Sequence, residues 1–219
     1  MLPIESPRQR RKEARPAELL AAALEMFVEK GFAATRLDDV AKRAGVSKGT
    51  LYLYFDSKDA LFKAVIQEGI VPVLQQGAGM VERHTGSSAD LLRDLIAAWW
   101  QLIGNTHLGG VPKLMISEAG NFPEIATYYY ENVILRGRDL MRRTLQRGID
   151  QGEFRALNIE QAIDVIFAPV LMMAIWRHSL GACGCGQHDP ESYFATHLDM
   201  MLCGIAHPSA TVQPDGMHS

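Results

Sequence analysis

Residues 35–58 read TRLDDVAKRAGVSKGTLYLYFDSK, and this stretch decides the fold. Thr35 followed three residues later by Asp38 resembles a capping box, which predicts that the threonine oxygen caps a helix. Apolar residues from Leu37 to Ala44 recur at spacings i, i+3, i+4 and i+7, the pattern of one buried stripe on a short helix. Gly45 then permits the positive φ that a helix end often requires. The first half of the stretch therefore predicts a short helix and a sharp turn.

The second half predicts another short helix and the start of a third. Ser47 is suited to cap the second helix, on which Leu51 and Phe55 lie one turn apart and face inward. Ser57 is suited to cap the third helix, whose inner face begins at Leu61. Two helices joined by a turn of three to four residues form the geometry that places the second helix in a DNA major groove.

The second helix carries groups that suit contact with DNA. Lys48 stands in its first turn, where positive charge is unfavourable for the helix dipole unless an anion such as phosphate is near. Gly49 costs a helix about 1 kcal/mol relative to alanine, which is consistent with close approach of its backbone to a partner. The hydroxyls of Tyr52 and Tyr54 can donate to phosphate oxygens. From these residues alone, a plain three-helix packing unit with solvated polar side chains stays open.

A longer run, AALEMFVEKGFAATRLDDVAKRAGVSKGTLYLYFDSKDALF, resembles the DNA-binding domain of the TetR family of bacterial transcriptional regulators. The resemblance covers about residues 14–65 and includes the Gly-Phe turn, the Ala-Gly-Val end of the short helix and the Thr-Leu-Tyr-x-Tyr-Phe run. Leu53 occupies a variable recognition position and suggests apolar contact with a thymine methyl. The resemblance, with the neighbouring residues, gives these candidate DNA contacts: Thr35, Arg36, Ser47, Lys48, Gly49, Thr50, Tyr52, Leu53, Tyr54 and Lys58.

Charge divides the chain. The formal net charge is −3, yet residues 1–63 hold twelve Lys/Arg and nine Asp/Glu, whereas residues 64–219 hold ten and sixteen. Basic residues gather in residues 8–15, ahead of the predicted first helix, and such an arm suits a phosphate backbone or a minor groove. A solvated tail is the alternative. We expect four regions: a flexible basic arm at 1–14, a helix-turn-helix domain at 15–62, a ligand-binding and dimerisation domain at 63–207 and a disordered tail at 208–219.

Composition is that of an ordinary globular protein, with 47% apolar and 21% charged residues. Three cysteines give no disulfide framework, and the polar start of the chain gives no signal peptide, so we expect a cytoplasmic protein. The uncharged apolar run over residues 165–176 is shorter than the roughly 20 residues of a spanning helix, which predicts a buried helix. Because no Gly-x-Ser-x-Gly, phosphate-binding glycine loop or His-Glu-x-x-His is found, we expect no enzyme, catalytic residue or cofactor.

The rest of the chain also reads as helical. One helix is predicted from Ser57 to about Arg83 with a kink at Pro72, followed by helices over about 91–103, 112–119, 123–151, 158–180 and 189–206. No strand-like alternation occurs, so we expect an all-α fold of about nine helices, with an N-terminal helix-turn-helix domain and a C-terminal regulatory bundle. This plan, and the segment MISEAGNFPEIATYYYENVILRGRDLMRRTLQRGIDQGEF, are similar to those of the TetR family.

The resemblance further implies a homodimer that packs its last two helices into a four-helix interface and binds a palindromic DNA operator. An intrachain core would show the same apolar spacing, so both readings stay open. The interface candidates are Ile163, Phe167, Val170, Leu171, Phe194, Leu198, Met201, Leu202 and Ile205.

Large aromatic and methionine side chains in the second part of the chain suit a cavity for a small, largely apolar effector, although each of them also suits a core. The candidate ligand contacts are Trp99, Trp100, Met115, Phe122, Tyr128, Phe167, Met172 and Trp176. The leading interpretation is a repressor that such an effector releases from its operator.

Cys183, Cys185 and His188 lie within six residues and offer thiol and imidazole ligands for a metal, or thiols for oxidation. Their spacing differs from the usual Cys-x2-Cys, no fourth ligand is evident, and a flexible glycine loop is the alternative. A metal- or redox-responsive regulator, or an activator, on the same fold is therefore the second interpretation.

Overall fold

The computed structural model describes residues 7–184 and 189–207, with side chains from Pro16 onward except that of Ala182. These residues form an all-α fold without β-strands, as the sequence predicts. The helices are α1 (Pro7–Lys30), α2 (Leu37–Arg43), α3 (Lys48–Tyr52), α4 (Lys58–Gly69), α5 (Val71–Arg83), α6 (Ser88–Trp99), α7 (Gly110–Glu118), α8 (Pro123–Tyr129), α9 (Leu135–Asp150), α10 (Ile159–Arg177) and α11 (Pro190–Ile205). A π-helical turn, Trp100–Gly104, extends α6, and a second, Tyr130–Ile134, joins α8 to α9. With α4–α5 and α8–α9 each counted once, the described chain has nine helical segments.

The helix-turn-helix forms through the local interactions that its sequence predicts. Ser47 caps α3, since its side chain accepts a hydrogen bond from the backbone N–H of Thr50. Ser57 caps α4 in the same way through Ala60. Gly45 has φ +68, a conformation that glycine adopts without steric cost.

Aromatic packing fixes the first three helices against α4. The rings of Phe27 and Phe32 lie 5.4 Å apart, and the ring of Phe62 lies 5.8 Å from each. All three side chains are fully buried, together with Leu51 of α3. Because α3 itself is only five residues long, this anchoring sets its orientation.

Two predicted boundaries are corrected. The basic residues 8–15 belong to α1 and do not precede it, because Pro7 suits a first helical position and Gln, Arg, Lys, Glu and Ala propagate helix. The predicted single helix from Ser57 to Arg83 is two helices that meet at Ile70. Pro72 lacks an N–H and clashes with the carbonyl four residues earlier, which separates α4 from α5. The disordered tail predicted at 208–219, and the first six residues of the arm, lie outside the described residues.

The C-terminal bundle has its own apolar core. Leu92 and Ile96 of α6, Leu145 of α9, and Ile166 and Val170 of α10 are buried in one cluster, against which α11 packs. The end of the bundle is tied to the loop after α9, where the backbone N–H groups of 155 and 207 donate to the carbonyls of 205 and 153. This core gives α6, α9 and α10 fixed positions around the site described below.

Helix α10 is the one helix within the described ranges that is long and apolar enough to cross a membrane, with 19 residues and a mean hydropathy of 1.6. One face of α10 contributes Ile166 and Val170 to the bundle core. Its other face carries Val165 and Met172, which are exposed. Helix α10 is therefore a core helix of the bundle with a second, uncovered apolar face.

Candidate DNA interface and effector cavity

Helix α3 divides its side chains between the core and solvent. Leu51 is fully buried, whereas Tyr52, Leu53 and Tyr54 are 45%, 84% and 37% exposed. Three consecutive large side chains, two of them carrying hydroxyls, thus form the outer surface of the helix-turn-helix. Such an arrangement offers polar groups to phosphates and an apolar group to base edges.

The backbone at Gly49 is open to an approaching partner. A Cβ built at this position would have only Ser47 Oγ within 4 Å, at 3.9 Å. Folding therefore does not require a glycine here for space, and its φ does not lie in the left-handed region. Close approach of another molecule to this backbone is the remaining physical reason for a residue that weakens a helix.

Lys48 is held at the start of α3 by an exposed ion pair. Its Nζ lies 2.8 Å from Asp38 Oδ2 of α2 and 5.7 Å from the centre of the Tyr52 ring. The hydrogen bond to Asp38 raises the pKa of Lys48. Lys48 is thus charged and lies next to the ring of Tyr52. A phosphate that bound Lys48 would compete with the Asp38 carboxylate.

Two of the candidate DNA contacts use their polar atoms inside the protein instead. Thr35 is 2% exposed, and its hydroxyl donates to the Gly31 and Met26 carbonyls at 2.7 and 3.2 Å, so the prediction that it caps α2 is wrong. Lys58 Nζ donates to the carbonyls of Phe32 and Ala33 at 2.6 and 3.1 Å. Burial lowers the pKa of Lys58. Both side chains stabilise the turn after α1, and we remove them from the candidate contacts.

The other predicted contacts lie around the start of α2 and α3. Arg36 is exposed in extended backbone just before α2. Ser47 and Thr50 hydrogen-bond to each other through their hydroxyls at 2.8 Å, at the exposed N-terminus of α3. Together with Lys48, Gly49 and the exposed side chains of Tyr52, Leu53 and Tyr54, Ser47 and Thr50 belong to one continuous stretch of chain, residues 47–54, which stays in the candidate interface with Arg36.

A cavity of about 650 Å³ lies between α5, α6, α7, α8, α9 and one face of α10. Its wall is almost wholly apolar, which fits the predicted effector chemistry. Of the predicted ligand contacts, Trp99, Met115 and Phe167 line it. The Trp99 and Phe167 rings meet edge to face at 4.9 Å and form part of the wall.

The other five predicted ligand contacts lie outside the cavity, which corrects those assignments. The Trp100 ring packs 4.9 Å from that of Phe194 in a separate cluster. The Phe122 ring lies 4.8 Å from that of Phe32 in the DNA-binding part. Three more predicted contacts also lie outside the cavity wall. The Tyr128 hydroxyl accepts a hydrogen bond from Gln67, Met172 is exposed, and Trp176 lies near the end of α10.

Sequence reasoning missed most of the wall, because its residues have the same apolar character as the core. The lining residues that it did not single out include Leu74, Met80, Leu95, Leu102, Ile116, Tyr130, Val133, Ile134, Arg138 and Met141. Arg138 is the one cationic residue among the cavity's described lining. Its guanidinium is paired with Glu160 and Asp164 of α10. Hydrogen bonds from Arg142 and Arg138 hold the pKa of Glu160 at about 2.

The predicted dimer interface also changes. Ile163, Val170 and Ile205 are buried within their own chain; Ile163 also lines the cavity, and Ile205 lines a groove between α10 and α11 and stays a candidate. Two others, Phe167 and Leu171, line the cavity. The remaining candidates, Phe194, Leu198, Met201 and Leu202, are half-buried against the bundle core and stay predictions.

The uncovered apolar surface lies on the side of α10 and α11 that faces away from the bundle core. Val165 and Met200 are each 71% exposed, and they flank a groove of about 810 Å³ between the two helices. Pro169 and Gly204 also line this groove. Sequence periodicity could not separate this face from the core face, since α10 is apolar on both.

Of the three candidate metal ligands between α10 and α11, the structure describes Cys183 alone. Cys183 is exposed and its thiol donates to the Leu180 carbonyl. Cys185 and His188 lie outside the described residues. In the described ranges, no three His, Cys, Asp or Glu residues are grouped as metal ligands.

Two parts of the chain match known families. Residues 19–65 match the family described as bacterial regulatory proteins, tetR family, and residues 82–181 match the tetracyclin repressor-like C-terminal domain. The uncharacterized HTH-type transcriptional regulator YdeS of Bacillus subtilis (strain 168) is 32% identical over 164 residues, which are 73% of this chain and 78% of that protein.

Two further proteins are similar over most of their length. The HTH-type transcriptional repressor KstR2 of Rhodococcus jostii (strain RHA1) is 24% identical over 205 residues, 90% of this chain and 94% of that protein. The transcriptional regulator FadR from Bacillus subtilis, solved in complex with stearoyl-CoA, superposes with a TM-score of 0.66 at 19% identity and covers 86% of this chain and 98% of that one. The family matches fall on the helix-turn-helix and on the bundle with its cavity. This chain therefore belongs to the TetR family of bacterial transcriptional regulators, a family of DNA-binding regulators that are not enzymes.

Proposed function

We propose that this protein is a cytoplasmic repressor that binds a palindromic operator as a homodimer and leaves it when a small, largely apolar effector enters the cavity. The observation that carries the proposal is the position of α7. Met115, Ile116 and Ala119 of this segment line the cavity, while Glu118 accepts a hydrogen bond from the backbone N–H of Ala33 at 3.1 Å. One helix thus touches both the effector site and the turn that precedes the helix-turn-helix.

A second set of contacts joins the same two regions. Phe122, just after α7, packs on Phe32, and Lys58 Nζ lies 4.4 Å from the centre of the Phe32 ring and 5.7 Å from that of Phe122. Lys58 begins α4 and also holds the Phe32 carbonyl. A displacement of α7 therefore reaches the α1–α2 turn through Glu118 and the N-terminus of α4 through Phe122.

The expected size of control follows from these few contacts. An effector that prefers one arrangement of α7 by about 1–3 kcal/mol would change operator affinity by roughly 5–150-fold. Breaking a partly buried hydrogen bond to a carboxylate and shifting one aromatic contact are changes of that order. No large rearrangement is required.

For the homodimer, we propose the uncovered face of α10 and α11 as the contact. It is apolar, and a two-fold axis through it would bury Val165 and Met200 of both subunits. The symmetry would present two copies of α3 to operator half-sites about 34–36 Å apart, one turn of DNA. An imperfect palindrome is the expected operator.

The chemistry of the effector is proposed from the cavity wall. An almost wholly apolar lining around 650 Å³ fits a long or flat hydrocarbon body better than a sugar or nucleotide. The stearoyl-CoA bound by FadR, to which this chain is similar in fold, supports an elongated apolar ligand.

The test begins with selection of bound duplexes from random DNA. We expect a palindromic consensus, binding of one protein dimer per site, and a loss of affinity on addition of an apolar ligand found by thermal-shift screening. A reporter gene placed behind the selected operator should be less active in the presence of the protein. The absence of any sequence preference at low salt, or a reporter that the protein switches on, would contradict the proposal.

A further inference from the structure

Tyr129 differs from every other polar residue of the cavity wall. Its side chain is only 8% exposed, and it lines the cavity from the end of α8. Its hydroxyl makes no hydrogen bond within the described residues, and it is not among the buried side-chain atoms that lack a partner, so the oxygen is open to the cavity. A phenol whose hydroxyl is unpaired within the fold and open to a cavity can pair with a molecule bound there.

The other polar lining groups are placed differently. Gln76, Thr127 and Tyr130 are exposed, which puts them at the opening of the cavity. Arg138 lines the wall too, but its guanidinium is held by the carboxylates of Glu160 and Asp164. Tyr129 is therefore the one buried residue of the described lining with a polar side-chain group, the half-buried Trp99 adds an indole N–H, and this lining offers no free positive charge.

From this arrangement we infer that the effector is an uncharged, elongated apolar molecule with one hydrogen-bond-accepting oxygen, such as a ketone or ester carbonyl, that meets the Tyr129 hydroxyl. The inference rests on the proposed role of the cavity as the effector site. A ligand carboxylate would have to bury its charge beside the neutral phenol of Tyr129. It would also have to compete with Glu160 and Asp164 for the Arg138 guanidinium, and burial of an unpaired charge is strongly unfavourable.

The protonation of the phenol agrees with an acceptor on the ligand. Burial raises the pKa of Tyr129 well above that of a free tyrosine, so the hydroxyl keeps its proton at neutral pH. A neutral phenol donates its hydrogen bond to a carbonyl oxygen. Because Tyr129 has a fixed position in the wall, we expect affinity to depend on where the carbonyl group lies along the hydrocarbon chain of the ligand.

The direct test measures binding of three ten-carbon probes, 2-decanone, 5-decanone and decanoate, to the full-length protein without DNA. Trp99 lines the cavity, so its fluorescence reports occupancy independently of the operator, with Trp99→Phe to identify the signal. We expect at least one ketone to bind more tightly than decanoate at neutral pH. In Tyr129→Phe, which removes one oxygen and keeps the ring, that ketone should bind about five- to tenfold more weakly.

Tyr128→Phe is the matched control. It removes the same atom from a neighbouring residue that lies outside the cavity, where its hydroxyl accepts a hydrogen bond from Gln67, and it should leave ketone affinity unchanged. Melting temperatures of both variants show that the fold is intact. Equal ketone affinity in wild type and Tyr129→Phe, tighter binding of decanoate, or no binding of either ketone would each overturn the inference. Operator release is measured separately: if ketones bind through Tyr129 but leave the operator complex intact, the inference stands and the repressor mechanism fails.

Discussion

Gly49→Ala should change the stability of the free protein and its affinity for DNA in opposite directions. The substitution adds one methyl group to the second residue of α3. In the free protein this methyl would meet only Ser47 Oγ, at 3.9 Å, which is an ordinary van der Waals contact. Alanine is also the better helix former by about 1 kcal/mol. The unbound variant should therefore be as stable as the wild type or more so, with a melting temperature up to about 2–4 °C higher.

The effect on DNA binding should have the opposite sign. If α3 lies in a major groove with the Gly49 backbone against the duplex, the methyl group has to displace DNA atoms or tilt the helix. Overpacking of a close-fitting contact typically costs about 1–3 kcal/mol. That corresponds to a dissociation constant about 5–150-fold larger.

Both quantities are measured on the same preparations. Thermal unfolding without DNA gives the stability, and fluorescence anisotropy with the selected operator duplex gives the affinity. Gly120→Ala is the control, because a Cβ there would meet nothing within 4 Å and Gly120 lies away from α3, in the turn between α7 and α8. Wild-type operator affinity for Gly49→Ala would refute the close approach of α3 to DNA.

Four further substitutions test other parts of the proposal. Lys48→Ala should weaken binding to all duplexes and reduce the salt slope by about one in a titration of affinity against salt, and an unchanged slope would remove the phosphate contact. Glu118→Ala removes the acceptor for the Ala33 N–H and should reduce the loss of operator affinity that the effector causes. Binding of the effector itself, measured by fluorescence, should stay the same. An undiminished loss of operator affinity would exclude α7 as the link. Glu160→Gln should lower the melting temperature at pH 7, because the depressed pKa of Glu160 contributes stability that is present above about pH 4.5. The difference in melting temperature between wild type and variant should fade as the pH falls toward about 2. A difference that stays constant over this range would contradict the contribution of the Glu160 charge. Met200→Glu places a charge on the exposed face of α11 and should shift the protein to monomers in light scattering with little change of fold, whereas an intact dimer would move the interface elsewhere.

The local structure of the DNA-binding part could be predicted because it depends on neighbouring residues. Ser47 and Ser57 cap helices whose first N–H groups are three residues away, and Gly45 ends α2 within the same turn. The exposed row on α3 follows from helical spacing alone once Leu51 is placed inward. The family resemblance covers these same residues.

Predictions failed where a side chain had two plausible partners at different distances along the chain. Thr35 was expected to cap the helix that follows it, but its hydroxyl turns back to α1. Lys58 was expected to reach DNA, but it binds carbonyls 25 and 26 residues earlier. Both outcomes depend on the packing of α4 against α1, which no local pattern encodes.

The cavity and the uncovered face were decided by the tertiary structure. Helix α10 is apolar around its circumference, so its periodicity cannot say which face meets the core, the cavity or a partner. The structure assigns Val170 to the core, Leu171 to the cavity and Val165 to the surface. The sequence by itself determined an all-helical regulator with a DNA-binding element, since capping, turns and helical spacing act over a few residues. Which apolar side chains enclose empty space, and which polar groups are left facing it, was settled only when distant helices packed together.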